Sequence, residues 1–244
     1  MDRNKISAGS YDLNKWLFGG YDKDIITTIY GPAGSGKSNL CMMVAVSQAK
    51  KNKKVIFIDT EGGFSIERIK QLTENSDKCK EILKNILLLK PTTFKEQEIS
   101  FYKLLKEIKS RTVDLIIIDG MTMLYRLELA EAKEKGEKEI KEINSKLARQ
   151  MRVLSEIARK KNIPVIVTNQ VYSEFLSEED LRAGKERGVS MVGGDILKYW
   201  SKCIIELRNE RGKKRAILRK HRSMKEKQIV FEIIDKGIRK KGWI

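Results

Sequence analysis

Gly31-Pro32-Ala33-Gly34-Ser35-Gly36-Lys37-Ser38 is the stretch of the 244-residue sequence that decides the fold. It matches the pattern G-x-x-x-x-G-K-[S/T], in which glycines let the backbone turn so that several N–H groups point at phosphate oxygens. A helix that begins at the end of such a loop directs the positive end of its dipole at the same phosphates. We expect Lys37 to reach the β- and γ-phosphates and Ser38 to offer its hydroxyl to Mg²⁺. These eight residues therefore predict a binding loop for ATP with Mg²⁺.

Short apolar runs alternate with helix-length segments around this loop. The runs are rich in Ile and Val and are continuous, which is typical of strands buried on both faces. They are Ile25–Tyr30, Val55–Asp59, Ile86–Leu89, Val113–Asp119 and Pro164–Asn169. The segments between them carry apolar residues at helical spacing and include Ser38–Lys50, Phe94–Ser110 and Ile140–Lys161. This alternation predicts an α/β fold with a mostly parallel, twisted sheet flanked by helices.

The pattern changes after residue 200. Ser201–Leu207, Arg215–Lys220 and Gln228–Ile233 follow one another without helices between them and predict C-terminal antiparallel strands that extend the sheet. The sequence shows neither an internal repeat nor a low-complexity linker. We therefore expect residues 1–244 to form a single domain.

Acidic and amide side chains follow three of the predicted strands. Asp119 ends a run of apolar residues at the carboxyl edge of the sheet, where it can hold a magnesium-bound water or cap the next turn. Glu61 follows the second strand, where a carboxylate can deprotonate a water in line with the γ-phosphate, or can simply be an acid of the loop. Asn169 and Gln170 end the fifth strand, where an amide contacts the γ-phosphate or satisfies backbone groups of a turn.

The net charge of the chain is +17 at pH 7. An excess of this size attracts polyanions, and nucleic acid is the favoured partner over a merely solvated basic surface or an anionic membrane face. No run of about 18 apolar residues occurs and the first ten residues are polar, so we expect a cytoplasmic protein without a membrane partner. The three separated cysteines predict reduced thiols. A single histidine argues against a His-rich metal site or a Ser-His-Asp triad.

Lys and Arg are dense between residues 202 and 227. Such a cluster on neighbouring strands predicts a surface that binds the phosphates of DNA without regard to sequence, although a solvated face is the alternative. We expect residues 220–222 to lie near the nucleotide and to couple it to DNA. The residues of this cluster that we predict to contact DNA are Arg219, Lys220, His221 and Arg222.

The motifs taken together are similar to those of a known family. Asp59-Thr60-Glu61-Gly62-Gly63-Phe64 with Glu67-Arg68 downstream, then Asp119, then Val167–Val171, all in order after the phosphate-binding loop, resemble the RecA/RadA recombinase core. The chain begins about 20 residues before the first strand. We therefore expect it to lack the N-terminal helix-hairpin-helix domain, as in the truncated archaeal paralogue of that family.

The resemblance implies a RecA-like core and a role for each matching residue. Lys37 and Ser38 match the phosphate and magnesium positions, Glu61 the catalytic glutamate, Asp119 the metal-binding acid and Gln170 the γ-phosphate sensor. Two stretches that we expect to be loops, 126–138 and 171–194, match the two DNA-binding loops of the family. The residues of these stretches that we predict to contact DNA are Arg126, Arg182, Lys185 and Arg187.

The resemblance also implies an activity. It predicts a protein of DNA repair and homologous recombination that binds ATP and DNA, single-stranded or branched, hydrolyses ATP weakly and has a regulatory or mediator role rather than performing strand exchange. Candidate protein partners are the main recombinase and a junction nuclease, and self-association is left open. The residues alone leave two other possibilities. One is a small-molecule kinase or signalling NTPase on the same type of loop, and the other is a non-catalytic partner protein that uses ATP only for stability and docks a recombinase or nuclease.

Overall fold

A computed structural model describes residues 4–74, 78–110, 112–173, 189–210 and 213–242. Its strands are β1 (Lys5–Ile6), β2 (Tyr21–Asp22), β3 (Ile26–Tyr30), β4 (Val55–Asp59), β5 (Ile86–Leu89), β6 (Leu115–Asp119), β7 (Val165–Asn169), β8 (Val171–Ser173), β9 (Val189–Met191), β10 (Cys203–Glu210), β11 (Lys213–His221), β12 (Lys227–Ile234) and β13 (Gly237–Lys240). Its helices are α1 (Tyr11–Trp16), α2 (Lys37–Ala49), α3 (Ile66–Leu72), α4 (Cys79–Leu83), α5 (Phe94–Ser110), α6 (Met123–Lys135), α7 (Glu137–Lys161) and α8 (Gly194–Trp200).

Within these residues, nine strands form one central sheet in the order β13-β12-β11-β10-β3-β7-β6-β4-β5. The strands from β10 to β5 run parallel, whereas β11, β12 and β13 continue the sheet antiparallel from β10. The predicted fold class, a mostly parallel sheet with C-terminal antiparallel strands, is confirmed. The carboxyl ends of β3, β4, β6 and β7 meet at one edge, so the loops after them converge there.

The inner parallel strands β3, β4, β6 and β7 are buried because helices cover both of their faces. One apolar cluster packs α1, α2, α3 and α4 against the sheet, and includes Phe57 and Ile117. A second cluster packs α5, α6, α7 and α8 against the other face, and includes Ile56 and Ile118. Neighbouring residues of one strand thus face opposite clusters, which explains why these strands are continuous apolar runs.

The expectation of a loop at 126–138 is wrong. This stretch is the body of α6 followed by the first turn of α7, and Gly136 with φ of 122° separates the two helices. Its Ala, Glu and Lys residues are strong helix formers, and Lys141 pairs with Glu137 one turn away at 3.7 Å. A high density of charge therefore marked a solvated helix here rather than a loop.

The second expected loop, 171–194, contains short regular elements at both ends. β8 and β9 pair antiparallel, and α8 begins at Gly194. Residues 174–188 lie outside the described residues, and with them Arg182, Lys185 and Arg187 of the predicted DNA contacts.

Candidate nucleotide site

The loop from Gly31 to Gly36 joins the end of β3 to the start of α2. Gly36 has φ of 104°, a conformation that side chains rarely adopt, and a Cβ there would lie 3.2 Å from Ile233 Cδ1 on β12. A Cβ on Gly31 would lie only 2.4 Å from the carbonyl oxygen of Leu207 on β10. Glycine is therefore required at both ends of the loop, because the C-terminal strands pack directly against its backbone.

Lys37 is the first residue of α2, and its side chain contacts the backbone of this loop. Its side chain is buried, and Nζ donates hydrogen bonds to the carbonyl oxygens of Gly31 and Pro32, each at 2.9 Å. Burial lowers the pKa of Lys37, while the nearby carboxylates of Glu61 and Asp119 oppose that shift. The loop thus holds a largely desolvated cation, which strengthens its attraction for a phosphate group.

Asp119 ends β6 fully buried beneath the loop. Its Oδ1 accepts a hydrogen bond of 2.6 Å from Thr168 Oγ1, whereas the buried Oδ2 completes no hydrogen bond among the described residues. Burial raises the pKa of this carboxyl, and the hydroxyls of Thr168 and Ser38 beside it oppose that shift. A Cβ on Gly63 would lie 2.8 Å from Ser38 Oγ and 3.4 Å from Asp119 Oδ2, so both oxygens face one small space.

These oxygens fit a magnesium site. Mg²⁺ prefers hard oxygen ligands and keeps several waters, so one carboxylate and one hydroxyl next to bound phosphates form a suitable donor set. The unpartnered Oδ2 of Asp119 is the observation that supports this fit, because a buried carboxylate oxygen without a partner is costly. Ser38 and Asp119 are therefore the residues that would hold the metal.

Glu61 and Gln170 meet at the same edge, although 109 residues separate them in sequence. Gln170 Nε2 donates a hydrogen bond of 3.1 Å to Glu61 Oε2. The other oxygen, Oε1, is buried and makes no hydrogen bond among the described residues. Burial raises the pKa of Glu61, and the negative charge of Asp119 raises it further. A carboxylate with a raised pKa and a free oxygen is suited to accept a proton from water.

The turn that carries Glu61 is shaped by a residue that we had not singled out for a role. Asp59 is buried, and its carboxylate accepts hydrogen bonds from the backbone N–H groups of Glu61, Gly63 and Phe64 at 3.2, 3.1 and 3.0 Å. An Asp that bonds backbone groups just ahead of it is a common turn device, so its position at the strand end was an available signal.

Asn169, which the sequence left open between a sensor and a turn residue, is engaged inside the fold. Its Oδ1 accepts a hydrogen bond from Thr122 Oγ1, and its Nδ2 donates to the carbonyl oxygen of Val192 at 2.7 Å. It therefore links β7 to the segment before α8, and Gln170 is the amide that faces Glu61.

Three residues of the predicted DNA-binding cluster contact carboxylates, and two of them, Arg219 and Arg222, form ion pairs. Arg219 Nε lies 2.6 Å from Glu206 Oε2, and Arg222 Nε lies 3.0 Å from Asp22 Oδ2. His221 Nε2 lies 3.3 Å from the same carboxylate of Asp22. Part of the positive charge that the sequence displays is thus neutralised within the fold.

The expectation that residues 220–222 lie near the nucleotide is wrong. His221 pairs with Cys203 at the start of β10, and β10 runs parallel to β3, so this segment lies at the sheet edge opposite the phosphate-binding loop. Lys214, at the other end of β11, is the cluster residue that reaches the loop, since its Nζ donates to the carbonyl oxygen of Gly34. The two ends of β11 lie at opposite edges of the sheet, and the sequence does not show which of them is next to the phosphate-binding loop.

Arg126 lies exposed on the first turn of α6, and Lys220 Nζ donates to the carbonyl oxygen of Lys198 at 2.8 Å. DNA binding by these residues and their ion-paired neighbours stays a prediction. Within the described part of the chain, none of the helices is both long and apolar enough to cross a membrane.

A family model described as Rad51 matches residues 3–241.

The chain belongs to the Rad51 family.

Within the Rad51 family, the chain is similar to proteins named DNA repair and recombination protein RadB. It is 40% identical over 242 residues to that of Methanobrevibacter smithii, covering 97% of this chain and 96% of the relative. It is 39% identical over 227 residues to that of Methanococcus maripaludis, covering 93% of this chain and 96% of the relative. It is 39% identical over 226 residues to that of Methanocaldococcus jannaschii, covering 93% of this chain and 98% of the relative. The resemblance to the recombinase family and its short archaeal paralogue is confirmed.

Members of the Rad51 family are ATP-binding proteins of the ATPase type. The kinase alternative that the residues left open is not favoured, because both the family match and the similarity to RadB proteins extend over nearly the whole chain.

Proposed function

We propose that this chain is an ATP- and DNA-binding recombinase paralogue, built on a single core domain, that acts in DNA repair and homologous recombination. We further propose that it hydrolyses ATP weakly and regulates or assists a recombinase rather than performing strand exchange. The observation that carries the proposal is the convergence of Lys37, Ser38, Glu61, Asp119 and Gln170 at one sheet edge of a Rad51-family chain. The relatives named for DNA repair and recombination support the cellular role.

Each residue of the site has a role that follows from its chemistry. Bound ATP would supply the phosphoanhydride bond, with Mg²⁺ neutralising charge on its phosphates. The loop amides and Lys37 would bind the phosphate oxygens, and Ser38 and Asp119 would hold the metal. Glu61 would accept a proton from water at Oε1, while Gln170 keeps Oε2 in a hydrogen bond and so orients the carboxylate. Gln170 would also relay changes at the γ-phosphate to β8, which follows it in the chain.

Lys37→Ala tests the nucleotide site. We expect the variant to keep its fold and lose ATP binding by at least about tenfold, because a buried cation that faces the phosphates is removed. The measurement is titration of a fluorescent ATP analogue in the presence of Mg²⁺. The control is Lys51→Ala, since Lys51 is exposed just beyond the end of α2, the helix that Lys37 begins. Equal affinity in the two variants would refute the assignment of the loop.

Glu61→Gln separates binding from hydrolysis. The amide cannot accept the proton, so we expect turnover to fall by about 100-fold while ATP affinity stays within about threefold. Turnover is measured with and without single-stranded DNA.

The same assay on the wild-type protein tests the proposed function. Stimulation by DNA supports the recombinase-type function, and phosphate transfer to a metabolite instead of water would overturn it. Binding without any turnover in the wild type would rule out the proposed ATPase activity and leave a nucleotide-stabilised partner protein.

A further inference from the structure

Two aromatic side chains stand at the end of α8 beside a groove against α7. Tyr199 is 72% exposed, and its ring meets that of Trp200 edge to face with centroids 5.2 Å apart. Trp200 lines a groove of about 320 Å³ together with Arg149 and Arg152 of α7. Leu197, Ile196 and Trp200 pack α8 against the core, whereas Tyr199 is not part of that cluster.

Five exposed cations lie on α7, on α8 and on the neighbouring ends of β10 and β11, and none of them forms an ion pair within the described residues. This separates them from Arg219 and Arg222, whose charges are neutralised by carboxylates. Lys220 joins the group to α8, because its Nζ donates to the carbonyl oxygen of Lys198 at 2.8 Å. The five, which with Tyr199 and Trp200 we call the α7–α8 basic surface, are Arg149, Arg152, Lys198, Lys202 and Lys220.

Lys202 and Lys220 of this surface repel each other. Burial lowers the pKa of Lys220, and the positive charge of Lys202 beside it lowers it further. Like charges held close together destabilise the free protein, and an anionic ligand placed between them would reduce that repulsion. Exposed aromatic rings among unpaired cations are what single-stranded nucleic acid requires, since phosphates need the charge and unpaired bases need a planar face.

We propose that the α7–α8 basic surface binds single-stranded nucleic acid, with a base stacked on Tyr199 and phosphates held by Arg149, Arg152 and Lys198. This inference rests on the DNA binding of the proposed function and names a surface for it. Duplex DNA would satisfy the cations but would keep its bases stacked on each other. An acidic protein would likewise satisfy the cations without giving the Tyr199 ring a planar partner.

Tyr199→Ala tests the stacking contact. We expect the variant to bind a fluorescent oligo(dT) about tenfold more weakly while its affinity for an abasic strand of equal length stays within about twofold, because only the base contact is lost. Tyr102→Ala is the matched control, since Tyr102 is 71% exposed on α5. Fluorescence anisotropy measures both strands, and thermal unfolding verifies that each variant is folded.

The double variant Arg149→Gln/Arg152→Gln tests the phosphate contacts. It should weaken the binding of both strands. The slope of log K against log[salt] should become less steep by about 1.4, the value expected when two single-strand phosphate contacts are lost. Lys103→Gln/Lys106→Gln, two exposed cations on α5, is the charge-matched control and should leave the slope unchanged.

The outcomes distinguish this inference from the proposed function. A wild-type protein that binds no DNA overturns both. A wild type that binds DNA while Tyr199→Ala matches Tyr102→Ala overturns only the surface named here. A Tyr199→Ala variant with unchanged DNA affinity but altered sedimentation would make the surface a contact between copies of the chain, which also overturns the proposal.

Discussion

Gly120, which follows Asp119 at the end of β6, lies directly against the side chains of Thr60 and Glu61. It has φ of 89°, and a Cβ there would lie 2.4 Å from Thr60 Oγ1 and 2.6 Å from Glu61 Cγ. Thr60 is fixed in turn, because its hydroxyl donates to the Gly120 carbonyl oxygen at 2.7 Å. The position of the catalytic carboxylate that we propose thus depends on the absence of one methyl group from a neighbouring loop.

Gly120→Ala is therefore expected to lower ATP turnover by at least about tenfold, because the added methyl displaces Glu61 by a distance that matters for proton transfer. Nucleotide affinity should change by less than about threefold, since the phosphate-binding loop is not touched. Gly62→Ala is the control, as Gly62 has φ of 73° but nothing within 4 Å of its Cβ position. Single-turnover hydrolysis and nucleotide titration measure the two effects, and equal turnover in both variants would contradict the role given to this contact.

At the scale of elements, Arg68 of α3 joins the phosphate-binding helix to the C-terminal hairpin. Its guanidinium donates to Asn39 Oδ1 on α2 at 2.7 Å, and to the carbonyl oxygens of Ile234, Asp235 and Gly237 at 2.8, 3.1 and 3.3 Å. The turn between β12 and β13 thus has its carbonyl groups satisfied by a charged donor, which strengthens each bond.

Arg68→Ala is expected to lower the free energy of unfolding by about 2 to 4 kcal/mol, because several carbonyl groups and one amide lose a charged donor. Hydrogen exchange should become faster in β12 and β13 first. Arg239→Ala is the control on the same hairpin, since Arg239 pairs with Glu232 at the surface and its loss should cost at most about 1 kcal/mol. Chemical denaturation of both variants checks the difference, and equal stabilities would remove the joining role of Arg68.

At the scale of the whole molecule, Asp22 ties the N-terminal ribbon of β1 and β2 to the end of β11. Its carboxylate lies 3.1 Å from Lys5 Nζ, 3.3 Å from His221 Nε2 and 3.0 Å from Arg222 Nε. Burial by itself would raise the pKa of Asp22, but the hydrogen bonds from His221 and Lys5 outweigh it and lower the pKa to about 2. The cluster that the sequence marked for DNA binding therefore also closes the fold.

This pKa predicts a pH dependence of stability. Since the folded-state pKa lies below the ordinary value of 3.8, the stabilisation is present above about pH 4 and is lost as the pH falls towards about 2. We expect Asp22→Asn to be about 1 to 2 kcal/mol less stable than the wild type at pH 7, allowing for solvent screening, and the difference to disappear as the pH falls through about 2. Urea unfolding at several pH values measures it, with Glu131→Gln on the surface of α6 as control. A difference that does not change with pH would contradict this role of Asp22.

The sequence by itself determined the phosphate-binding loop, the parallel strands around it and the edge at which Asp119 and Glu61 lie. These features are local, because a Gly-rich turn between a strand and a helix specifies its own backbone, and the carboxyl ends of parallel strands must meet at one edge. Even the helix boundaries of α5 followed from the spacing of its apolar residues.

Only the tertiary structure decided which side chains meet. The contact between Glu61 and Gln170, and the pairing of Arg219 and Arg222 with acids, join residues that are distant in sequence, and composition does not reveal which charge a carboxylate neutralises. The structure likewise placed residues 220–222 at the far edge, where Lys220 bonds the carbonyl oxygen of Lys198 on α8 instead of a carboxylate. Strand direction and sheet register bring such groups together or apart, and both are set by packing over the whole chain.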